Sequence, residues 1–426
     1  MSEVYESMPE VTDSQIAELP EVESIRVTEP RDGLPEIVAT PDQLAHLVAA
    51  ISSGTGPVAL DAERASGFKY SQRAYLIQLR RQGSGSHLVD PTLLPNLIPL
   101  QETLNGVDWI LHAASQDLVC LAEVGLKPTA NVFDTELAGR LLGLPRVGLG
   151  ALIETQLGYS LAKEHSAADW STRPLPESWL NYAALDVEFL IELWELLEAQ
   201  LLENNKHHWA LQEFDYVKRT TGPIERVDPW RRTSGMHVIR NPRELAVVRE
   251  VWYARDEIAR EQDIAAGRIL SDSHIVTLAS SKLNKASELK TLSFMHLRNV
   301  KRYASTWIDA TVRANELPDS DLPPLKLPVT GPPAPRNWET RNPQAWRRLE
   351  YARSQLSTIA SDLVLPVENL MTPDTIRRVL WTPPESPSKL VETLFEYGAR
   401  EWQVEIVEPV LETAIWKAVG DNANEQ

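Results

Sequence analysis

Val58-Ala59-Leu60-Asp61-Ala62-Glu63-Arg64 is the stretch on which the fold turns. Three apolar residues of β type lead directly into two carboxylates spaced two apart. A strand repeats every two residues, so Asp61 and Glu63 share one face where a buried strand emerges. An isolated Asp-x-Glu is more often a solvated strand end, so its meaning depends on what surrounds it. Downstream, Tyr75-Leu76-Ile77-Gln78-Leu79, His87-Leu88-Val89 and Trp109-Ile110-Leu111 read as further strands bounded by Gly, Ser, Asp or Pro. Amphipathic stretches lie between and after them, at Asp117 to Glu123, Thr135 to Leu142 and Pro176 to Leu202. A meander of strands followed by helices predicts an α/β domain with a mixed sheet covered by helices.

Around that domain the chain divides by composition. Residues 1–34 read as an acidic, flexible leader, 35–216 as the α/β domain, and 217–240 as a charged, Pro-containing linker. Residues 241–312 carry helical periodicity without strand-like alternation. Residues 313–341 hold seven prolines, from Pro318 to Pro335, and read as a semi-rigid linker. A second helical module is expected over 342–420. Both modules open on Arg-Asn-Pro (Arg240-Asn241-Pro242 and Arg341-Asn342-Pro343), an Asn cap with Pro in the first turn. Each then carries Tyr-Ala-Arg (Tyr253 to Arg255, Tyr351 to Arg353), a faint sign of duplication.

Two further acids join the first pair. Asp117 follows the small-residue run His112-Ala113-Ala114-Ser115-Gln116, which predicts a tight strand-to-helix turn with the acid near the helix start. Alone, it would be an acid favoured by the helix dipole. Tyr182 and Asp186 stand four apart in Trp179-Leu180-Asn181-Tyr182-Ala183-Ala184-Leu185-Asp186, hence on one helix face. Taken singly, Asp186 could pair with an arginine and Tyr182 could be a core-edge residue. Four carboxylates on separate elements of one domain can bind two divalent cations, because hard cations prefer oxygen. Two such ions about 3.5–4 Å apart can activate water and stabilise a leaving oxygen in phosphoryl displacement. A tyrosine beside the last acid can orient that water.

Asp-x-Glu after an apolar strand, His-x-x-x-x-Asp and Tyr-x-x-x-Asp, in this order, resemble the DEDD exonucleases of the tyrosine subclass. Asp169-Trp170-Ser171-Thr172-Arg173-Pro174-Leu175 narrows the resemblance to proteins similar to ribonuclease D, over roughly residues 37–215. The helical remainder looks like two HRDC modules (the helicase and ribonuclease D C-terminal domain). The resemblance implies a ribonuclease H-like exonuclease domain followed by two all-α, HRDC-like bundles. It implies two divalent cations, Mg²⁺ or Mn²⁺, with Asp61 bridging them, Glu63 and Asp186 completing the nucleophile-side site, Asp117 serving the second ion and Tyr182 positioning water. It implies release of nucleoside 5′-monophosphates from RNA 3′ ends, tRNA precursors included. The first motif departs from the family, reading Asp-Ala-Glu-Arg where Asp-Thr-Glu-Phe is common, so that Arg64 replaces an apolar residue.

The alternatives are a DNA 3′→5′ exonuclease, since the metal chemistry does not inspect a 2′-hydroxyl, and a nucleic-acid-binding adaptor with a vestigial site. Single-stranded DNA is thus a second candidate partner. For substrate contacts, Lys282, Lys285, Arg298, Lys301 and Arg302 cluster in the first helical module near Tyr303 and Trp307, a pattern that could track phosphates and stack bases or simply be a solvated helix face. His112 could meet phosphate, and Arg173 could lie near RNA while anchoring its loop.

Composition sets outer bounds. With 426 residues the chain exceeds one ordinary core, and 43% hydrophobic against 24% charged residues is a globular balance. The net charge of −18 weighs against binding nucleic acid by bulk electrostatics, though an acidic site recruits the cations that meet phosphate. Cys120 has no cysteine partner, which excludes an intrachain disulfide and fits a reducing compartment. No secretory h-region opens the sequence and no apolar run reaches membrane-spanning length, so a cytoplasmic monomer without a membrane partner is expected.

Overall fold

The computed structural model describes residues 24–161, 168–222, 226–281, 285–328 and 331–417. Among the described residues eight strands occur in chain order: β1 (Ile25–Val27), β2 (Ile37–Val38), β3 (Thr55–Arg64), β4 (Ala74–Gln82), β5 (Gly85–Val89), β6 (Trp109–Leu111), β7 (Val132–Asp134) and β8 (Tyr159–Leu161). The main sheet is six-stranded, ordered β2-β5-β4-β3-β6-β7, with β1 and β8 forming a separate parallel pair. β3 pairs antiparallel with β4 and parallel with β6, so the sheet is mixed as expected. The helices of this domain are α1 (Pro41–Ser53), α2 (Ile98–Leu104), α3 (Asp117–Glu123), α4 (Thr135–Leu141), α5 (Leu149–Leu152), α6 (Glu177–Glu188), α7 (Leu190–Glu203) and α8 (His207–Thr220).

Alternation along β3 divides the interior. Val58, Leu60 and Ala62 enter a core with α1, α2 and α3, while Ala59 belongs to a second core lined by α4, α7 and α8. The stretch from Pro176 to Leu202 is two helices rather than one, separated at Phe189 (φ −113°, ψ 4°), whose ring stacks on Tyr159 at 4.6 Å.

The first helical module comprises α9 (Pro242–Gln262), α10 (Ala266–Ile269), α11 (Asp272–Ser280), α12 (Ala286–Leu289), α13 (Arg298–Arg302) and α14 (Ala304–Glu316). The second comprises α15 (Trp338–Arg341), α16 (Pro343–Asp362), α17 (Val367–Leu370), α18 (Pro373–Trp381), α19 (Pro387–Glu396) and α20 (Glu401–Glu412). Asn241 and Asn342 cap α9 and α16 through their side chains, each with Pro in the first turn. The two Tyr-Ala-Arg triplets fall eleven and eight residues after those prolines, so they are out of phase in the two helices.

The modules attach differently. The second shares one continuous core with the sheet domain: Phe133, Leu197 and Phe214 cluster with Trp338, Leu349 and Trp402. The first has its own core and meets the sheet domain at the β3–β4 connection. There Asp256 accepts from the Tyr70 hydroxyl (3.0 Å), Asp263 from Ser71 N (2.9 Å) and the Tyr75 hydroxyl (3.1 Å), and Arg268 donates to Gly67 O (2.7 Å).

Three segments differ from expectation. Residues 24–34 of the supposed leader are folded: β1 pairs with β8, and Arg31 reaches the fully buried Glu188 at 2.6 Å. Of the expected 217–240 linker, the first four residues belong to α8, and residues 226–240 are a packed lead-in, because Trp230 and Ile239 enter the first module's core. The Pro-rich 313–341 segment begins inside α14 and ends in α15, where the fully buried Trp338 donates to Pro333 O at 2.8 Å. Among the described residues no helix is long and apolar enough to cross a membrane.

Candidate active site

Asp61 and Glu63 share the parity of Ala59, which turns them toward the sheet face on which α6 and α7 lie. Ala183 and Ala184 are fully buried, and their small side chains let α6 lie close to the sheet and deliver Asp186. Carboxylate oxygens of Asp61, Glu63 and Asp186 come within 4.8 Å of one another. Tyr182, one turn earlier on α6, donates its hydroxyl to Asp186.

Asp117 arrives by another route. β6 ends at Leu111, the chain turns through residues 112–116, and α3 begins on the acid itself. The turn forces Ala113 to φ 55°, a left-handed conformation that costs a residue with a Cβ roughly 1–2 kcal/mol. Asp134 holds it there. Its buried carboxylate accepts from Ala113 N (3.1 Å) and Ala114 N (2.8 Å), and also caps α4 through Glu136 N (2.9 Å) and Leu137 N (3.2 Å). Sequence reasoning missed Asp134. Only its cap position before Thr135 was visible locally; the other two donors lie 21 and 20 residues upstream.

Asp61, Glu63, Asp117, Tyr182 and Asp186 all line one cavity of about 470 Å³, with Arg64, His112 and Gln116 also in its wall. Asp117 lines it without joining the 4.8 Å grouping of the other three acids. Burial, then Asp61, Asp186 and Asp117, push Glu63 up to about 10. Burial raises Asp61 to about 6, against the pull of the Ala62 amide and Arg64. Asp117 and Asp186 are held well above the ordinary carboxylate range by burial and by Asp61. Buried acids this close repel one another, and a hard divalent cation is the counter-charge that an all-oxygen donor set fits. Tyr182 is raised by burial and by Asp186, so its hydroxyl stays protonated at neutral pH.

The expected substrate contacts fare unequally. His112 lines the cavity, but its Nδ1 pairs with Thr135 Oγ1 at 2.9 Å and burial lowers it to about 4. It is therefore neutral at pH 7 and presents hydrogen bonding rather than charge. Arg173 is a loop anchor outside the cavity wall: it pairs with Asp90 at 2.6 Å and donates to Trp170 O, Thr172 O and Tyr75 O. Lys285, Arg298, Lys301 and Arg302 are exposed on the first helical module and none lines the cavity; Arg302 lies 5.3 Å from the Tyr303 ring centroid. Lys282 lies outside the described residues.

Comparison with known proteins adds an independent line. A sequence profile described as "3'-5' exonuclease" matches residues 35–202, one described as "HRDC domain" matches 244–311, and one described as "3' to 5' exonuclease C-terminal domain" matches 331–415. The two helical modules thus match different profiles. A ribonuclease D of Pseudomonas paraeruginosa is 31% identical over 284 residues, covering 65% of this chain and 73% of its own. One from a Jannaschia species is 28% identical, covering 79% and 88% respectively. A crystal structure of a protein from Bifidobacterium adolescentis superposes with a TM-score of 0.85 at 38% identity, covering 92% of this chain and all of that one.

Proposed function

This chain belongs to the ribonuclease D family of 3′→5′ exonucleases, and from that premise we propose that it is a two-metal 3′→5′ exoribonuclease releasing nucleoside 5′-monophosphates from RNA 3′ ends, tRNA precursors among them. The observation that carries the proposal is the meeting of Asp61, Glu63 and Asp186 oxygens within 4.8 Å in a cavity that also holds Asp117 and Tyr182. Asp61, Glu63 and Asp186 would hold one divalent ion, and Asp61 with Asp117 the other. Bound there, Mg²⁺ or Mn²⁺ supplies an activated water and stabilises the leaving oxygen of the scissile phosphodiester.

The chain's own residues do the rest. Tyr182 donates its hydroxyl to Asp186 and can orient water by hydrogen bonding. The bond from Tyr182 to Asp186 holds its hydroxyl beside that acid. Asp134 fixes the turn that delivers Asp117. RNA as the polymer is supported by the relatives named ribonuclease D.

Matched single-stranded RNA and DNA, digested with Mg²⁺ or Mn²⁺ and with excess chelator, test the proposal. The wild type is expected to release mononucleotides from RNA only with metal, and Asp61→Asn or Asp186→Asn to release none. A strong preference for DNA, or product formation by either variant, overturns it.

A further inference from the structure

Arg64 is a cation in a wall of acids. Alternation along β3 puts it on the side of Val58, Leu60 and Ala62, which enter the apolar core beneath α1 and α3. The ladder slips just before it: Glu63 pairs with Leu76 but Arg64 with Ala74, leaving Tyr75 opposite no residue. The extra residue belongs to β4, so Arg64 keeps the alternation of β3; it stands at the last position of that strand, beside Gln116, and lines the cavity.

Its charge favours the ionised forms of Asp61, Glu63 and Asp117, but its hydrogen-bond donors are barely used. Among the described residues its one polar contact is from Nη2 to Gln116 Oε1, at 3.5 Å, and no carboxylate lies within ion-pair distance. The contrast with Arg173, whose donors are taken by Asp90 and three backbone carbonyls, is direct. With His112 neutral, Arg64 is the permanent cation among the described residues lining the cavity. A planar fork of free N–H donors beside a phosphodiester site matches paired phosphoryl oxygens.

We propose that Arg64 is a specificity-determining, phosphate-binding residue whose guanidinium takes two oxygens of a phosphoryl group on the 3′-terminal nucleotide, either the scissile phosphate or a monoester phosphate at the 3′ end. The proposal rests on the nuclease reading of the cavity.

The test uses one single-stranded RNA sequence ending in a 3′-hydroxyl or a 3′-phosphate, with the full chain as wild type, Arg64→Gln and Arg64→Lys. Binding is read by fluorescence anisotropy over a salt series in Ca²⁺, with the RNA checked as intact after each titration. Arg64→Gln is expected to weaken binding roughly tenfold and to lower the slope of log affinity against log salt by about 0.7, one phosphate of a single strand. Equal losses on both RNAs assign the contact to the scissile phosphate; loss confined to the 3′-phosphorylated RNA assigns it to the terminal one. Arg64→Lys keeps the charge without the fork and should recover only part of the affinity. Unchanged affinity and slope in Arg64→Gln, or full recovery in Arg64→Lys, overturns the proposal. Digestion of the same RNAs in Mg²⁺ separates the two readings: a wild type that binds through Arg64 but releases no mononucleotide sinks the nuclease reading and leaves the contact standing.

Discussion

Asp134 and His112 govern the cavity without being among its metal-ligand candidates, and each gives a measurable consequence. Replacing Asp134 with Ala removes two cap bonds from α4 and two from the strained turn before Asp117. The lost cap alone should cost about 1–2 kcal/mol in urea unfolding. Displacing Asp117 should lower kcat by up to about 100-fold with KM little changed. His112 titrates at about 4 in the fold, below the 6.5 of a free imidazole. Between those pH values the unfolded chain binds a proton that the fold refuses. Its contribution is therefore complete above pH 6.5 and is lost as pH falls to about 4, amounting to up to about 3 kcal/mol. Stability measured from pH 7.5 to 4 should fall more steeply for wild type than for His112→Gln; parallel profiles would contradict this. Asp61, Glu63, Asp117, Tyr182 and Asp186 were legible as a set in motif order, though each taken singly has an ordinary structural reading. Asp134 was not, since half of its hydrogen bonds join it to a turn no local pattern links to it.

At the scale of elements, α8 is the hinge of the architecture. Glu213 on α8 accepts from Arg400 Nε (2.7 Å) and from Trp402 Nε1 (2.9 Å), and Trp209 stacks on Trp402 at 4.8 Å. Just before α8, the buried Lys206 donates to Leu141 O and Leu363 O at 2.7 and 2.6 Å, tying the end of α4 to the end of α16. Nearby, Gly143 (φ +71°) approaches so closely that a Cβ there would sit 2.3 Å from Val364 O. Glu213→Gln leaves a guanidinium without its charged partner in a nearly dry interface and should destabilise by about 3 kcal/mol, read as a lower denaturant midpoint. The main strands and α3 were readable from periodicity and their turn signals. β1, β2, β7 and β8 span two or three residues each and were not read; β6 is as short, but Trp109-Ile110-Leu111 is an unbroken apolar run after Asp108. The break at Phe189 was hidden for another reason: apolar periodicity continues through it, and only the stacking on Tyr159 reveals it.

For the whole molecule, composition misled where prolines border buried tryptophans. The segments around Trp230 and Trp338 look like spacers by content, yet each drives its indole into a core, and that cannot be read without knowing what packs against it. The cores do not follow chain order. Buried residues from Ala59 to Phe214 and from Trp338 to Ile415 share one interior, while Trp230 to Ala314 contribute to another that lies between them in sequence. Calorimetry should show two unfolding transitions, with Glu213→Gln shifting only that of the shared interior. Removing residues 331–417 should leave the sheet domain without a cooperative transition, whereas a truncated chain that still melts cooperatively would contradict the shared interior. The same arrangement bears on biosynthesis. Domains otherwise fold from the N-terminus as they leave the ribosome, at about 5–20 residues per second. Here the acids of the cavity emerge early, but their interior stays unclosed until α20 is made nearly two hundred residues after α8, on the order of ten to forty seconds later. A nascent chain tethered among cellular RNAs would thus mature as a nuclease only after α20 has left the ribosome.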